Sequence, residues 1–133
     1  MGNLPDGADS FPLHVLVVDD EPLIRWSVSE TLSDLGYEVE QASDAAIALR
    51  IVTTAARRFD VVLLDLQLPD MSDLSLLTTL RQLLPNATLI LMTAFGTAEI
   101  FADARAFGAV ILNKPFELDE LKRLVSEPGT EAR

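Results

Sequence analysis

Six polar residues stand at or just after the ends of apolar segments, where side chains from several segments could meet. They are Asp19, Asp20, Glu21, Asp65, Thr93 and Lys114. One carboxylate in such a place is usually a solvated turn residue or a helix cap. The combination is more informative, because grouped carboxylates bind hard divalent cations, whereas a lysine and a hydroxyl group suit an incoming phosphoryl group.

The elements that must position these residues follow from an alternation of β-rich apolar runs with helical patterns. Strands are predicted over residues 13–18, 37–42, 60–64, 87–92 and 109–112. Helices are predicted over about 22–35, 45–52, 74–84, 97–107 and 117–125. Pro22 suits a first helical turn, and Gly36 and Gly108 suit helix ends.

Five strand–helix units imply an α/β fold, a doubly wound parallel sheet with helices on both faces. Right-handed crossovers leave few topologies, and five strands favour the flavodoxin-like order 2-1-3-4-5. Sites in such sheets lie beyond the carboxyl ends of the strands, near the switch in strand order. Strands one, three, four and five then bring their terminal polar residues to one edge.

The acidic residues at this edge would repel one another. Two unit charges about 4 Å apart cost about 4 kcal/mol at an effective dielectric constant of about 20. Mg²⁺, or Mn²⁺, would offset this repulsion, because Mg²⁺ binds oxygen ligands and commonly accepts one or two carboxylates together with waters and a phosphate. Lys114 and Thr93 could then receive a phosphoryl group that is transferred in line onto a carboxylate.

Four segments resemble the receiver domain of two-component response regulators. They are residues 17–22 (VVDDEP), 63–69 (LLDLQLP), 92–95 (MTAF) and 113–116 (NKPF). The resemblance implies a CheY-like domain over residues 13–125, preceded by a flexible leader (1–12) and followed by a tail or the start of a linker (126–133). The Arg25-Trp26 pair and residues 92–96 resemble receivers of nitrogen-control-type transcription regulators.

Roles follow from this resemblance position by position. It implies that Asp65 is the phosphoacceptor. It also implies that Asp20 and Asp65 bind Mg²⁺ directly together with the backbone carbonyl of Gln67, whereas Asp19 acts mostly through water. Thr93 would bond a phosphoryl oxygen, in the same implied arrangement.

Lys114 would pair with the phosphoryl group. The resemblance further implies a sensor histidine kinase as the donor and an output domain or downstream protein as the reader, and it leaves room for a homodimer. Self-catalysed phosphotransfer and dephosphorylation are the most chemistry expected of such a domain, so it would not be an enzyme in the usual sense.

The composition argues against several other classes of protein. A net charge of −11 makes direct nucleic-acid binding a poor hypothesis, because such binding relies on lysine and arginine contacts to phosphates. The chain has no cysteine, which excludes disulfides and thiolate chemistry and fits a reducing cytoplasm. No apolar run approaches the roughly 18 residues that span a bilayer.

Two departures from the receiver pattern keep an alternative open, a binding module that no longer uses phosphorylation. Ile111 stands where the family commonly has an aromatic residue, so switching is expected to rely on Thr93 and the fourth helix. Asp70 and Asp73 stand where the family generally has glycines. They predict either a differently shaped loop, with Ser72 or Asp73 capping the third helix, or an altered metal affinity and phosphoryl lifetime.

Overall fold

Five parallel strands form one sheet in the computed structural model, which describes residues 12–126. The strands are β1 (His14–Val18), β2 (Glu38–Ala42), β3 (Val61–Asp65), β4 (Thr88–Thr93) and β5 (Val110–Asn113). Their order across the sheet is β2-β1-β3-β4-β5, which confirms the predicted order 2-1-3-4-5. Apart from Pro12 and Ser126, the predicted leader and tail lie outside the described residues.

One helix follows each strand. The helices are α1 (Pro22–Asp34), α2 (Ala45–Thr54), α3 (Ser75–Leu83), α4 (Ala98–Ala106) and α5 (Leu118–Ser126). The Asp44 carboxylate caps α2 by accepting the Ile47 N–H at 2.8 Å. Gly36 and Gly108 follow α1 and α4 with φ of 95° and 82°, values that glycine adopts without a steric penalty. None of the helices in the described chain is long and apolar enough to span a membrane.

The strands β1, β3 and β4 are buried on both faces, because their alternate side chains enter two separate cores. Leu16 and Leu64 point to the core that also contains the buried residues of α2, α3 and α4. Val17 and Leu63 point to the other core, which the buried residues of α1 and α5 complete. Each fully buried leucine or valine stabilises the fold by roughly 1.5–3 kcal/mol. This two-sided burial explains why these three strands read as largely continuous apolar runs, whereas β2 (EVEQA), at one edge of the sheet, is mostly exposed.

The strand register brings the ends of the central strands to one level. Val18 pairs with Leu64 across β1 and β3, and Asp65 pairs with Met92 across β3 and β4. Thr93 pairs with Asn113 at the ends of β4 and β5. Residues that immediately follow these pairs therefore start from neighbouring positions at the same edge.

The turn between β4 and α4 depends on a glycine. Gly96 lies against the ring of Phe101, and a Cβ atom added at Gly96 would overlap that ring. Phe101 is half-buried and packs against the core beneath α2, α3 and α4. The absence of a side chain at Gly96 thus lets Phe101 fasten the start of α4 to the sheet.

Gly96→Ala is expected to lower the free energy of unfolding by about 1–3 kcal/mol, because the new methyl group forces Phe101 out of its packing position. Urea unfolding measures the effect. In a Phe101→Ala background the ring is gone, so the added methyl group should cost far less. An equal loss in both backgrounds would contradict the proposed contact.

Candidate functional site

One ammonium group joins three carboxylates at the carboxyl edge of the sheet. The Lys114 Nζ lies 2.8 Å from Asp19 Oδ2, 2.9 Å from Asp65 Oδ2 and 3.0 Å from Glu21 Oε1. A lysine ammonium has three N–H donors, so each donor has one carboxylate oxygen. The structure thus brings together residues from the ends of β1, β3 and β5, as the predicted strand order requires.

Burial makes this charge balance necessary. Asp19 has no exposed surface and Asp65 is only 5% exposed. Burial raises the pKa of Asp19, and the hydrogen bonds from Lys114 and from the Glu21 backbone only partly offset that rise. Burial by itself lowers the pKa of Lys114, but the hydrogen bonds to Asp19, Asp65 and Glu21 outweigh it and raise that pKa. The ammonium therefore remains charged and offsets part of the negative charge of the two buried acids.

The second oxygen of each buried aspartate holds the loop that follows its strand. Asp19 Oδ1 accepts the Glu21 N–H at 2.8 Å, and Asp65 Oδ1 accepts the Gln67 N–H at 3.0 Å. These bonds fix both carboxylates relative to the backbone. They also leave Asp65 Oδ2 directed at the lysine and the open side of the site.

Thr93 is fully buried at the end of β4. Its Oγ1 accepts the Phe95 N–H at 3.0 Å, so the hydroxyl group holds the loop that leads into α4. Phe95 itself is 71% exposed. A displacement of the Thr93 hydroxyl group would therefore break or move its hydrogen bond to Phe95, in the loop before α4.

An open cavity of about 500 Å³ lies over these residues. Its polar lining includes Asp20, Glu21, Asp65, Gln67 and Lys114. Asp20 and Gln67 are exposed at this surface. All the site residues predicted from the sequence thus lie at or beside this cavity, with Asp19 and Thr93 buried at the strand ends.

The donor set fits a hard divalent cation. In the described part of the chain, carboxylate oxygens of Asp19, Glu21 and Asp65 can be chosen that all lie within 4.8 Å of one another. Oxygen ligands of this kind are those that Mg²⁺ and Mn²⁺ prefer. Asp20 lines the cavity but is not a member of this close group.

Glu21 belongs to the acidic group that the sequence indicates, but neither the residue pattern nor the family resemblance gave it an individual role. It stands immediately before Pro22, which suggests a helix cap, but its side chain makes no cap hydrogen bond. It reaches Lys114 instead. The signal available in the sequence was its place in an uninterrupted acidic run with Asp19 and Asp20.

The two unusual acids in the loop after β3 bind helix starts. Asp70 accepts the N–H groups of Ala45 at 2.9 Å and Ala46 at 3.0 Å, at the beginning of α2. These two bonds lower the pKa of Asp70. Asp73 accepts the Ser75 N–H at 2.9 Å, and bonds from the Ser75 hydroxyl group and backbone lower its pKa. The arrangement fits the hypothesis of a differently shaped loop.

The same loop contains no strained aspartate. Among the described residues, every non-glycine residue has a negative φ, so Asp70 and Asp73 avoid the backbone conformation that favours glycine. Ile111 is 8% exposed and packs in the core shared by α2, α3 and α4. Its position therefore carries an aliphatic core residue without a polar group.

The chain matches the family model described as response regulator receiver domain over residues 15–126. It is 34% identical over 114 residues to sporulation initiation phosphotransferase F of Bacillus subtilis, with coverage of 85% of this chain and 90% of that protein. It is 34% identical over 124 residues to the DNA-binding transcriptional regulator NtrC of Proteus hauseri, covering 90% of this chain but only 25% of that protein.

Solved structures agree with the fold. The crystal structure of a CheY-like response regulator receiver domain protein from Methanospirillum hungatei superposes with a TM-score of 0.81 and 30% sequence identity. The match covers 87% of this chain and 92% of that one. The likeness therefore extends over the whole sheet and its helices.

Asp70→Asn should lower the melting temperature at neutral pH, because the charged acceptor for the N-terminus of α2 is lost. A carboxylate whose folded pKa is depressed stabilises the fold above its unfolded pKa, ordinarily 3.8, and loses that contribution as the pH falls through the folded value. The difference between the two proteins should therefore shrink below that pH in thermal melts. Asp103→Asn, at an exposed position of α4, is the control. A difference that is independent of pH would contradict the assignment.

Lys114→Met should reduce the free energy of unfolding in the presence of EDTA by about 3 kcal/mol, because two buried carboxylates lose their counter-ion. Added Mg²⁺ should restore part of the loss. Lys122→Met, which removes a half-exposed ammonium 3.7 Å from Asp119, should cost at most about 1 kcal/mol. Equal stability of the two variants in EDTA would show that Lys114 does not balance the buried acids.

Proposed function

The chain belongs to the response regulator receiver family, and we propose that it is the phosphoacceptor domain of a two-component system in which Asp65 takes a phosphoryl group from a histidine kinase. One observation carries the assignment. Asp65 is the buried carboxylate that borders the cavity, with Oδ1 fixed by the Gln67 N–H at 3.0 Å and Oδ2 bound to Lys114 at 2.9 Å. It is thus both oriented and charge-paired.

In the proposed reaction, an oxygen of Asp65 forms a bond to phosphorus while the bond from phosphorus to the donor nitrogen breaks. Such transfer depends on positioning and on neutralisation of charge. The bond to the Gln67 N–H would hold the carboxylate in place during the attack. Lys114 would leave the carboxylate oxygen and pair with the phosphoryl oxygens.

Asp20, Asp65 and the backbone carbonyl of Gln67 would hold Mg²⁺ or Mn²⁺, with Asp19 acting mostly through water. When bound, the cation would neutralise the negative charge shared by the carboxylates and the phosphoryl group. The position of Asp20, Asp65 and Gln67 in the lining of the same cavity supports this proposal. The role of Asp19 in this scheme is to hold the Glu21 backbone and the lysine near the reacting group.

Thr93 would couple phosphorylation of Asp65 to a conformational change at the surface formed by α4 and the loop before it. Its hydroxyl group now holds the Phe95 N–H, and bonding to a phosphoryl oxygen would pull on this loop and on α4. Phosphorylation adds about −1.5 to −2 charges at neutral pH, enough to bias such a two-state element. Ile111 offers no aromatic ring for this purpose, which leaves Thr93 and α4 as the proposed route.

The partners in this proposal are a sensor histidine kinase and an output domain or downstream protein, within the cytoplasm. The similarity to NtrC supports an output in transcription of the nitrogen-control type, and a homodimer is compatible with the role. The receiver itself would not contact nucleic acid, since its net charge is −11. The domain would act as a signalling element, with self-catalysed transfer and dephosphorylation as its chemistry.

A phosphorylation-independent binding module is the second candidate, and the buried aliphatic residue at position 111 is the observation in its favour. Labelling with a small phosphodonor separates the two candidates. The native chain should gain an acid-stable, base-labile phosphoryl group in the presence of Mg²⁺, and EDTA should abolish the gain. Asp65→Asn should remove the labelling while circular dichroism shows an intact fold.

Asp103→Asn is the matched control, because it removes one exposed carboxylate from α4, away from the cavity lining. Its labelling should equal that of the native chain. Labelling that survives in Asp65→Asn would overturn the assignment of Asp65. A native chain that is never labelled by several donors would favour the binding module.

A further inference from the structure

Glu21 differs from the other acids of the site in its surroundings. Its side chain is 56% exposed, whereas those of Asp19 and Asp65 are 0% and 6% exposed. It is therefore the outermost of the three carboxylates around the ammonium group. Glu21 lines the cavity together with Asp65, so a ligand in the cavity can reach the Glu21 carboxylate directly.

The backbone of Glu21 is held from both sides. Its N–H donates to Asp19 Oδ1 at 2.8 Å, and its carbonyl oxygen accepts the Arg25 N–H at 2.9 Å. The Arg25 guanidinium group also donates to the Asp19 carbonyl oxygen at 2.7 Å. Pro22, the next residue, further restricts the chain at this point. The side chain thus projects toward the site from a fixed base.

A positively charged side chain, that of Lys114, lies among the oxygens of these three carboxylates. The Lys114 ammonium is bound by Glu21 at 3.0 Å in the same way as by Asp19 and Asp65. The three carboxylates thus form a pocket that accepts positive charge. Glu21 contributes an oxygen to the close carboxylate group, whereas Asp20 does not.

We propose that Glu21 is a further carboxylate of the divalent-cation site, which attracts the cation directly and not by way of Lys114. This inference rests on the proposed function, since it adds a residue to the same cation site. Lys114 acts in the opposite sense. Its ammonium group occupies the space between the carboxylates and competes with an incoming cation, so its removal should strengthen cation binding.

Binding of Mn²⁺, followed by the paramagnetic resonance of the free ion, tests the inference without a phosphoryl donor. Glu21→Gln should weaken binding by about tenfold, as expected for loss of one charge about 5 Å from a divalent ion in a water-like dielectric. Glu30→Gln changes the same charge on an exposed part of α1 and should weaken binding less than about twofold. Lys114→Met should bind Mn²⁺ more tightly than the native chain.

The combined variant decides between a direct and an indirect role. Glu21→Gln should cost about tenfold in the Lys114→Met background as well, because a direct attraction does not need the lysine. A loss that disappears in that background, or an affinity of Glu21→Gln equal to that of Glu30→Gln, would overturn the inference.

Failure of the inference can be told apart from failure of the proposed function. If only the inference is wrong, Asp65→Asn still loses Mn²⁺ affinity and phosphoryl labelling, whereas Glu21→Gln keeps both. If the proposed function is wrong, the native chain and Asp65→Asn give the same labelling, whatever Glu21→Gln does.

Discussion

The arrangement of the site depends on one electrostatic contact, in which the Lys114 ammonium partly offsets the charge of two buried carboxylates. Asp19 and Asp65 end neighbouring strands, and neither has enough contact with water to be stable without a counter-charge. The lysine reaches them because β5 is a parallel strand of the same sheet. Lys114, which directly follows β5, therefore lies with Asp19 and Asp65 at the carboxyl ends of the strands. In the proposed function, a divalent cation would supply positive charge to the carboxylates, and a phosphoryl group would supply negative charge to Lys114.

The surrounding loops keep the charged groups in position. Asp65 and Thr93 each bind a backbone N–H two residues further along the chain, so a change at either side chain reaches its loop directly. Asp70 anchors the loop after β3 to the start of α2. Its carboxylate is thereby engaged by a helix terminus, which explains how the chain carries an additional acid here without adding it to the cation site.

The fold and the positions of most candidate-site residues could be predicted because their causes are local or topological. Continuous apolar runs indicate strands buried on both faces, and strand order then brings Asp65 and Lys114 together despite their distance in sequence. The contacts of Asp70 with the start of α2 and of Glu21 with Lys114 could not be predicted. Each depends on the direction in which a loop residue points its side chain, which the sequence pattern does not determine. The need for glycine at position 96 likewise could not be predicted, because it arises from the contact with the ring of Phe101, five residues further along the chain.

A crystal structure with Mg²⁺ and beryllofluoride, which mimics a phosphoryl group, tests the central claim most directly. The account predicts beryllium bonded to an oxygen of Asp65, with Lys114 Nζ moved from Asp19 to within about 3 Å of a fluoride, a normal hydrogen-bond distance. The Thr93 hydroxyl group should have released the Phe95 N–H to meet another fluoride. Beryllofluoride absent from Asp65 at saturating concentration, with Lys114 still bound to Asp19 and Asp65, would contradict it.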